Sequence, residues 1–208
     1  MFEKLALIGI GLIGSSIARA TRLKGLAKTI AISTRRSETL DEARGLGLGD
    51  TYTMDAIEAV KGADLVILCI PIQAYGAVMA QIGPYLEPGA IISDVGSVKQ
   101  HVVSAMAPHV PKGVHLIPGH PIAGTEHSGP AAGFPELFIN RWCVLTPGKD
   151  VPAEAVARLT AFWSDLGSNV EIMEPGHHDM VLAITSHIPH LIAYNIVGPV
   201  ADLEQDTQ

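Results

Sequence analysis

Four short strings in this 208-residue chain carry residue types able to do chemistry. Gly9-Ile10-Gly11-Leu12-Ile13-Gly14 is G-x-G-x-x-G. That spacing lets a chain turn tightly at the first glycine, approach a pyrophosphate at the second and pack a helix against a strand at the third. Asp94-Val95-Gly96-Ser97-Val98-Lys99 gathers a carboxylate, a hydroxyl and an ammonium. Gly119-His120-Pro121-Ile122-Ala123-Gly124-Thr125-Glu126 puts a histidine, the side chain that titrates nearest neutrality, ahead of a hydroxyl and a carboxylate. Ser186-His187-Ile188-Pro189-His190 sets two histidines on one face of a helix. No Cys, Asp or Glu lies at partner spacing to them, so no metal site is expected. The tandem pair His177-His178 is expected in the solvated first turn of the last helix.

The elements that must position these strings follow from hydrophobic periodicity. Strands are expected at 4–9, 29–33, 65–70, 90–95, 114–117, 142–146 and 169–173, and helices at 15–26, 37–46, 73–86, 98–107 and 153–166. Such alternation predicts an α/β fold: a Rossmann-type, doubly wound, mostly parallel sheet covered by helices on both faces. The G-x-G-x-x-G then follows the first strand and opens the first helix, where free N–H groups and the positive dipole end suit phosphates. The second and third strings fall just past strand ends, so both should face a bound nicotinamide, with His120 in a Gly/Pro-rich loop. Glu174-Pro175-Gly176 ends the alternation. The expected division is therefore a dinucleotide-binding domain over 1–173 and a helical segment over 174–208, which the family resemblance below makes the start of an all-helical domain.

Two segments imitate membrane-directed sequence. The N-terminal apolar run is interrupted by three glycines and preceded by Glu3, which argues against a signal peptide. Residues 181–201 contain no Asp, Glu, Lys or Arg, but His187, Pro189, His190, Asn195 and Pro199 suit a buried helix better than a membrane span. A net charge of −7 and 5% aromatic residues argue against a nucleic-acid or membrane partner. Cys69 and Cys143 both lie in strand-like apolar runs, as expected of buried thiols in a reducing compartment, and a cytoplasmic location follows.

Charge also bears on the cofactor. Lys4, Arg19, Arg22, Lys24, Lys28, Arg35 and Arg36 crowd the first 36 positions beside one acid, Glu3. After the second strand comes Ser33-Thr34-Arg35-Arg36, where NAD sites usually place a carboxylate for the ribose hydroxyls. Hydroxyls and guanidinium groups satisfy a 2′-phosphate instead, so NADP is expected, although Glu38 or a backbone contact would serve NAD. Ile70, Pro71 and Gly96, at later strand ends, complete the expected cofactor contacts.

In combination and order, GIGLIG at 9–14, SDVGSVK at 93–99, HPIAGTEHSG at 120–129 and SHIPH at 186–190 resemble the prephenate/arogenate dehydrogenases, the cyclohexadienyl dehydrogenases of tyrosine biosynthesis. The resemblance covers essentially the whole chain. It implies that His120 is the catalytic histidine, that Ser97 positions it and contacts the ring hydroxyl, and that Thr125, Glu126, His187 and His190 lie on the substrate side. It implies NADP- or NAD-linked oxidative decarboxylation of prephenate or arogenate. Neutral His120 would accept the hydroxyl proton while Ser97 orients the ring through a hydrogen bond. Glu126 suits the ammonium of arogenate better than a dianionic substrate. The family continues into a longer helical, dimer-forming region, so this chain is expected to be a truncated or short version, forming a homodimer when that region is complete. Two rivals remain: another β-hydroxyacid-type dehydrogenase, which would need a lysine on the helical domain where none follows Lys149, and a non-catalytic NADP-binding module, which would not need Ser97 and His120.

Overall fold

The first strand, β1 (Phe2–Ile8), buries Leu5 and Leu7 on one face and Ala6 and Ile8 on the other, the pattern of a strand covered on both sides. A computed structural model describes residues 1–195. After β1 come α1 (Leu12–Lys24), β2 (Ala27–Ser33), α2 (Ser37–Gly45), β3 (Thr51–Thr53), α3 (Ala56–Val60), β4 (Leu65–Leu68), α4 (Tyr75–Ile82), β5 (Ile91–Asp94), α5 (Lys99–Met106) and β6 (His115–Leu116). These strands form one parallel sheet in the order β3-β2-β1-β4-β5-β6. The order reverses between β1 and β4, and the crevice at their carboxyl ends is where such sheets bind ligands. One core layer packs Leu7, Ile32 and Ile67 under Ile17, and the other packs Ala6, Val66 and Ile92 under Tyr75, Met79 and Val102.

A second sheet continues the chain: β7 (Gly119–Pro121), β8 (Trp142–Leu145), α6 (Ala153–Leu166) and β9 (Asn169–Ile172). β7 pairs antiparallel with β8, and β8 parallel with β9. The last described helix is α7 (Pro175–Leu182), which widens into a π-helical turn over Ala183–His187 before helix resumes to 195. Pro189 has no N–H to offer the carbonyl four residues back, and the wider turn precedes it.

Four differences from the sequence-based expectation matter. β3 and α3 are short, polar-flanked elements that carry no periodic signal; α3 is instead held by its N-cap, Asp55, whose carboxylate accepts the Ile57 N–H at 2.9 Å. His120 lies in a strand rather than a loop, because its backbone pairs with Val144. The 73–86 helix is only α-helical over its middle turns, with 3-10 turns at either end. The apolar helix expected to be buried over 181–201 instead exposes Ile184, Ile188, Leu191, Ile192 and Tyr194; its residues 196–201 lie outside the described part. Among the described residues no helix is long and apolar enough to cross a membrane.

Candidate active site

Gly9, Ile10 and Gly11 of the glycine string line a cavity of about 300 Å³ at the β1/β4 crevice. Gly9 has φ +99° and no room for a side chain, since a Cβ would sit 2.3 Å from the Cys69 carbonyl oxygen. A Cβ on Gly14 would meet the Gly9 carbonyl at 2.5 Å, so α1 can pack this close only on a glycine. Gly11 faces open space, with nothing within 4 Å of where a Cβ would stand. It is also the N-cap of α1, with no side-chain cap and no acidic residue in the first turn. That helix start is left ready for an anion.

Gly9, Ile10, Gly11, Ser33, Thr34, Arg35, Arg36, Ile70 and Pro71 line the cavity, joined by Thr39, Met54, Val78 and Gln81. Leu12, Ile13, Gly14 and Gly96 are not among its walls. No carboxylate lines it, and among the described residues neither Arg35 nor Arg36 has an acidic partner. Open backbone at Gly11 and an uncapped helix start fit the pyrophosphate of a dinucleotide, and two exposed guanidinium groups stand beside it.

Next to Pro71, outside the cavity's walls, Ile72 packs against the loop after β5. A Cβ on Gly96 would lie 2.9 Å from two Ile72 side-chain carbons, Cγ1 and Cδ1, and from the Asp94 carboxylate. Asp94 and Lys99, expected to face a ligand, are both wholly buried beneath that loop. Lys99 Nζ donates to Asp94 Oδ2 at 2.6 Å and to the Gly119 carbonyl at 2.6 Å. Asp94 also accepts the Gly96 N–H at 2.7 Å and the Gly119 N–H at 3.1 Å. Burial raises the Asp94 carboxyl and lowers the Lys99 ammonium, while their mutual attraction opposes both shifts. The pair bolts the end of β5, the start of α5 and the start of β7 together, one residue from His120.

His120 is 9% exposed. Its Nδ1 lies 2.9 Å from His178 Nε2, with the rings edge to face. His178 is fully buried, against the expectation of a solvated pair; only His177 is exposed. The available signal was spacing, because His178 precedes Leu182, the other buried residue of α7, by one helical turn. His178 Nδ1 in turn lies 2.7 Å from Asp179 Oδ1. Asp179 accepts the Lys99 N–H at 2.7 Å and the Gln100 N–H at 3.0 Å, so it caps α5 from another helix.

The remaining expected residues spread around this centre. Ser97 is exposed and makes no side-chain hydrogen bond among the described residues; the bond on the His120 ring runs to His178 instead. Thr125 and Glu126 lie in the exposed loop after β7, with Glu126 3.4 Å from His127. His187 is half-buried at the end of the π-helical turn, and His190 is exposed, its Nδ1 2.8 Å from the Ser186 carbonyl oxygen.

The sequence profile of the family described as "Prephenate dehydrogenase, nucleotide-binding domain" matches residues 17–172, and that described as "Prephenate dehydrogenase, dimerization domain" matches 174–208. The chain belongs to the prephenate dehydrogenase family. It is 43% identical over 208 residues to the cyclohexadienyl dehydrogenase of Zymomonas mobilis, covering all of this chain and 71% of that protein. Identity to the Bacillus subtilis prephenate dehydrogenase is 33%, over 95% of this chain and 53% of that protein, so the chain spans about half of that relative's length. The Aquifex aeolicus prephenate dehydrogenase, solved with hydroxyphenyl propionate and NAD+, superposes with a TM-score of 0.88 at 28% identity, over 97% of this chain and 70% of that one. Membership makes the chain part of an NAD(P)-linked oxidoreductase family with a Rossmann-type fold.

Burial, then the charges of Lys99, His178 and His187, push His120 down to about 3, and burial also lowers His178. Below the unfolded histidine value near 6.5 the unfolded chain therefore binds protons that the folded chain refuses. Stability from this effect is full above about pH 6.5 and lost as pH falls toward 3. Between pH 7.5 and 5.5 His120 should therefore remove about 1.4 kcal/mol. Urea unfolding at both pH values should show His120→Gln losing about 1.4 kcal/mol less than the wild type; equal losses would contradict the assigned burial.

Proposed function

We propose that this chain takes NADP and oxidatively decarboxylates prephenate, arogenate or both, with His120 as the proton acceptor. What carries the reading is a buried, neutral imidazole, close to the carboxyl ends of the sheet, in a member of this family. The cofactor phosphates would meet Gly9, Ile10, Gly11, Leu12, Ile13 and Gly14, and the ribose end Ser33, Thr34, Arg35 and Arg36. Ile70, Pro71 and Gly96 would flank the nicotinamide. Support for NADP over NAD is the cavity's lack of a carboxylate beside two unpaired guanidinium groups.

When bound, the nicotinamide supplies the acceptor for the hydride that leaves ring C4. His120 takes the C4 hydroxyl proton as that carbon becomes a carbonyl. The bond from the ring to its carboxylate then breaks, CO₂ departs, and the electron pair makes the ring aromatic. His120 returns the proton to the phenolic oxygen, so no net proton is stored. Ser97 would contact the ring hydroxyl, and Thr125, Glu126, His187 and His190 would surround the side chain. Glu126 would favour the ammonium of arogenate over the keto acid of prephenate. The helical segment from 174 would join a homodimer, in line with the dimerization-domain match.

Absorbance at 340 nm with NADP and each substrate tests the reaction. His120→Asn should lower kcat by about 10²–10⁴-fold with KM for cofactor little changed; near-normal turnover would contradict the role. Each charge-assisted contact to a 2′-phosphate contributes about 1.5–3 kcal/mol, so Arg35→Ala with Arg36→Ala should raise KM for NADP at least about tenfold and leave NAD nearly unaffected. A wild type that strongly prefers NAD would overturn the cofactor assignment.

A further inference from the structure

The bonds around His120 have a fixed direction, and the direction starts at Asp179. Two backbone N–H groups at the start of α5 donate to its carboxylate. Burial pushes that carboxyl up, but these bonds and His178 outweigh it and hold it below its ordinary value, so Asp179 is ionised and can only accept. His178 must then carry its proton on Nδ1 to bond Asp179 at 2.7 Å. A neutral His178 is left with a lone pair on Nε2, the atom 2.9 Å from His120 Nδ1. His120 must therefore donate from Nδ1.

We propose that His178 and Asp179 are positioning residues that hold His120 with its proton on Nδ1 and its lone pair on Nε2. Nε2 has no hydrogen-bond partner among the described residues, which leaves it the nitrogen that meets a substrate hydroxyl. On taking that proton, His120 becomes an imidazolium whose Nδ1–H already points along a chain ending in a carboxylate. Charge on Lys99, buried behind Gly119, on His178 or on half-buried His187 acts against a charged His120, and among the described residues Asp179 is the carboxylate that favours it. The neutral tautomer fixed by His178 serves as base, and the relay partly offsets the penalty of charging a buried ring. The catalytic consequence rests on the function proposed above; the tautomer does not.

The test is nitrogen-15 NMR of the histidine-labelled chain at pH 7.5, with His120 assigned by the signals lost in His120→Asn. The spectrum should show His120 and His178 both protonated on Nδ1 and bare on Nε2. A His120 protonated on Nε2 overturns the relay, and this reading needs no variant of His178 to fold. His178→Leu removes the acceptor, so His120 should populate both tautomers and kcat should fall about 10²-fold, with KM within about threefold. His178→Gln, whose side-chain carbonyl can accept the Nδ1 proton, should restore the tautomer and most of kcat. An unchanged tautomer and kcat in His178→Leu overturn the proposal. If the wild type shows the Nδ1 tautomer but oxidises neither prephenate nor arogenate, the functional reading falls and the relay stands.

Discussion

A lysine and an aspartate with no exposure to water, bonded at 2.6 Å beneath the crevice, set the geometry on which the site depends. Taking both charges out of water is unfavourable, and only close pairing with further hydrogen bonds offsets it. Asp94 and Lys99 find those bonds at Gly96 and on both backbone groups of Gly119. Because the partners sit on three elements, satisfying the charges and joining the two sheets are one requirement. The loop carrying Gly96 and Ser97 is pinned on one side, and the strand carrying His120 on the other.

Around that fixed point the two halves of the site answer to different physics. The cavity end is a matter of free space and uncapped donors: open backbone at Gly11, a helix start without an acid, and guanidinium groups on the surface. The His120 end is a matter of desolvation, with imidazoles packed edge to face and kept neutral by burial and by the Lys99 charge. Asp179 connects the second half to the first pair, since one of the two residues whose N–H it caps is Lys99 itself.

Much of this was legible in the residues. β1, α1 and the glycine turn announce themselves through an apolar run, G-x-G-x-x-G and helical spacing, and from the basic cluster after β2 Arg35 and Arg36 do line the cavity. His120 stands out by its residue type, but a Gly-His-Pro string reads as loop until Val144 supplies a strand partner. Asp94 and Lys99 read as ligand-facing, since nothing local says that a lysine will find a carboxylate and a carbonyl inside the protein. His178 and Asp179 were hidden by the same cause. Their roles come from contacts with residues 58 and 80 positions away in sequence, which no periodicity encodes. The exposed apolar row from Ile184 to Tyr194 misled for the opposite reason: composition reports what a helix would bury, not what covers it.

The Asp94–Lys99 pair acts as one unit holding the His120 strand. A double-mutant cycle of Asp94→Asn and Lys99→Met in urea unfolding measures it directly. Each single change strands a buried charge or its partners and should remove about 3–5 kcal/mol. The double variant should be more stable than the sum of the two losses, giving a coupling energy above about 2 kcal/mol. Small, additive losses with coupling under about 0.5 kcal/mol would contradict the account.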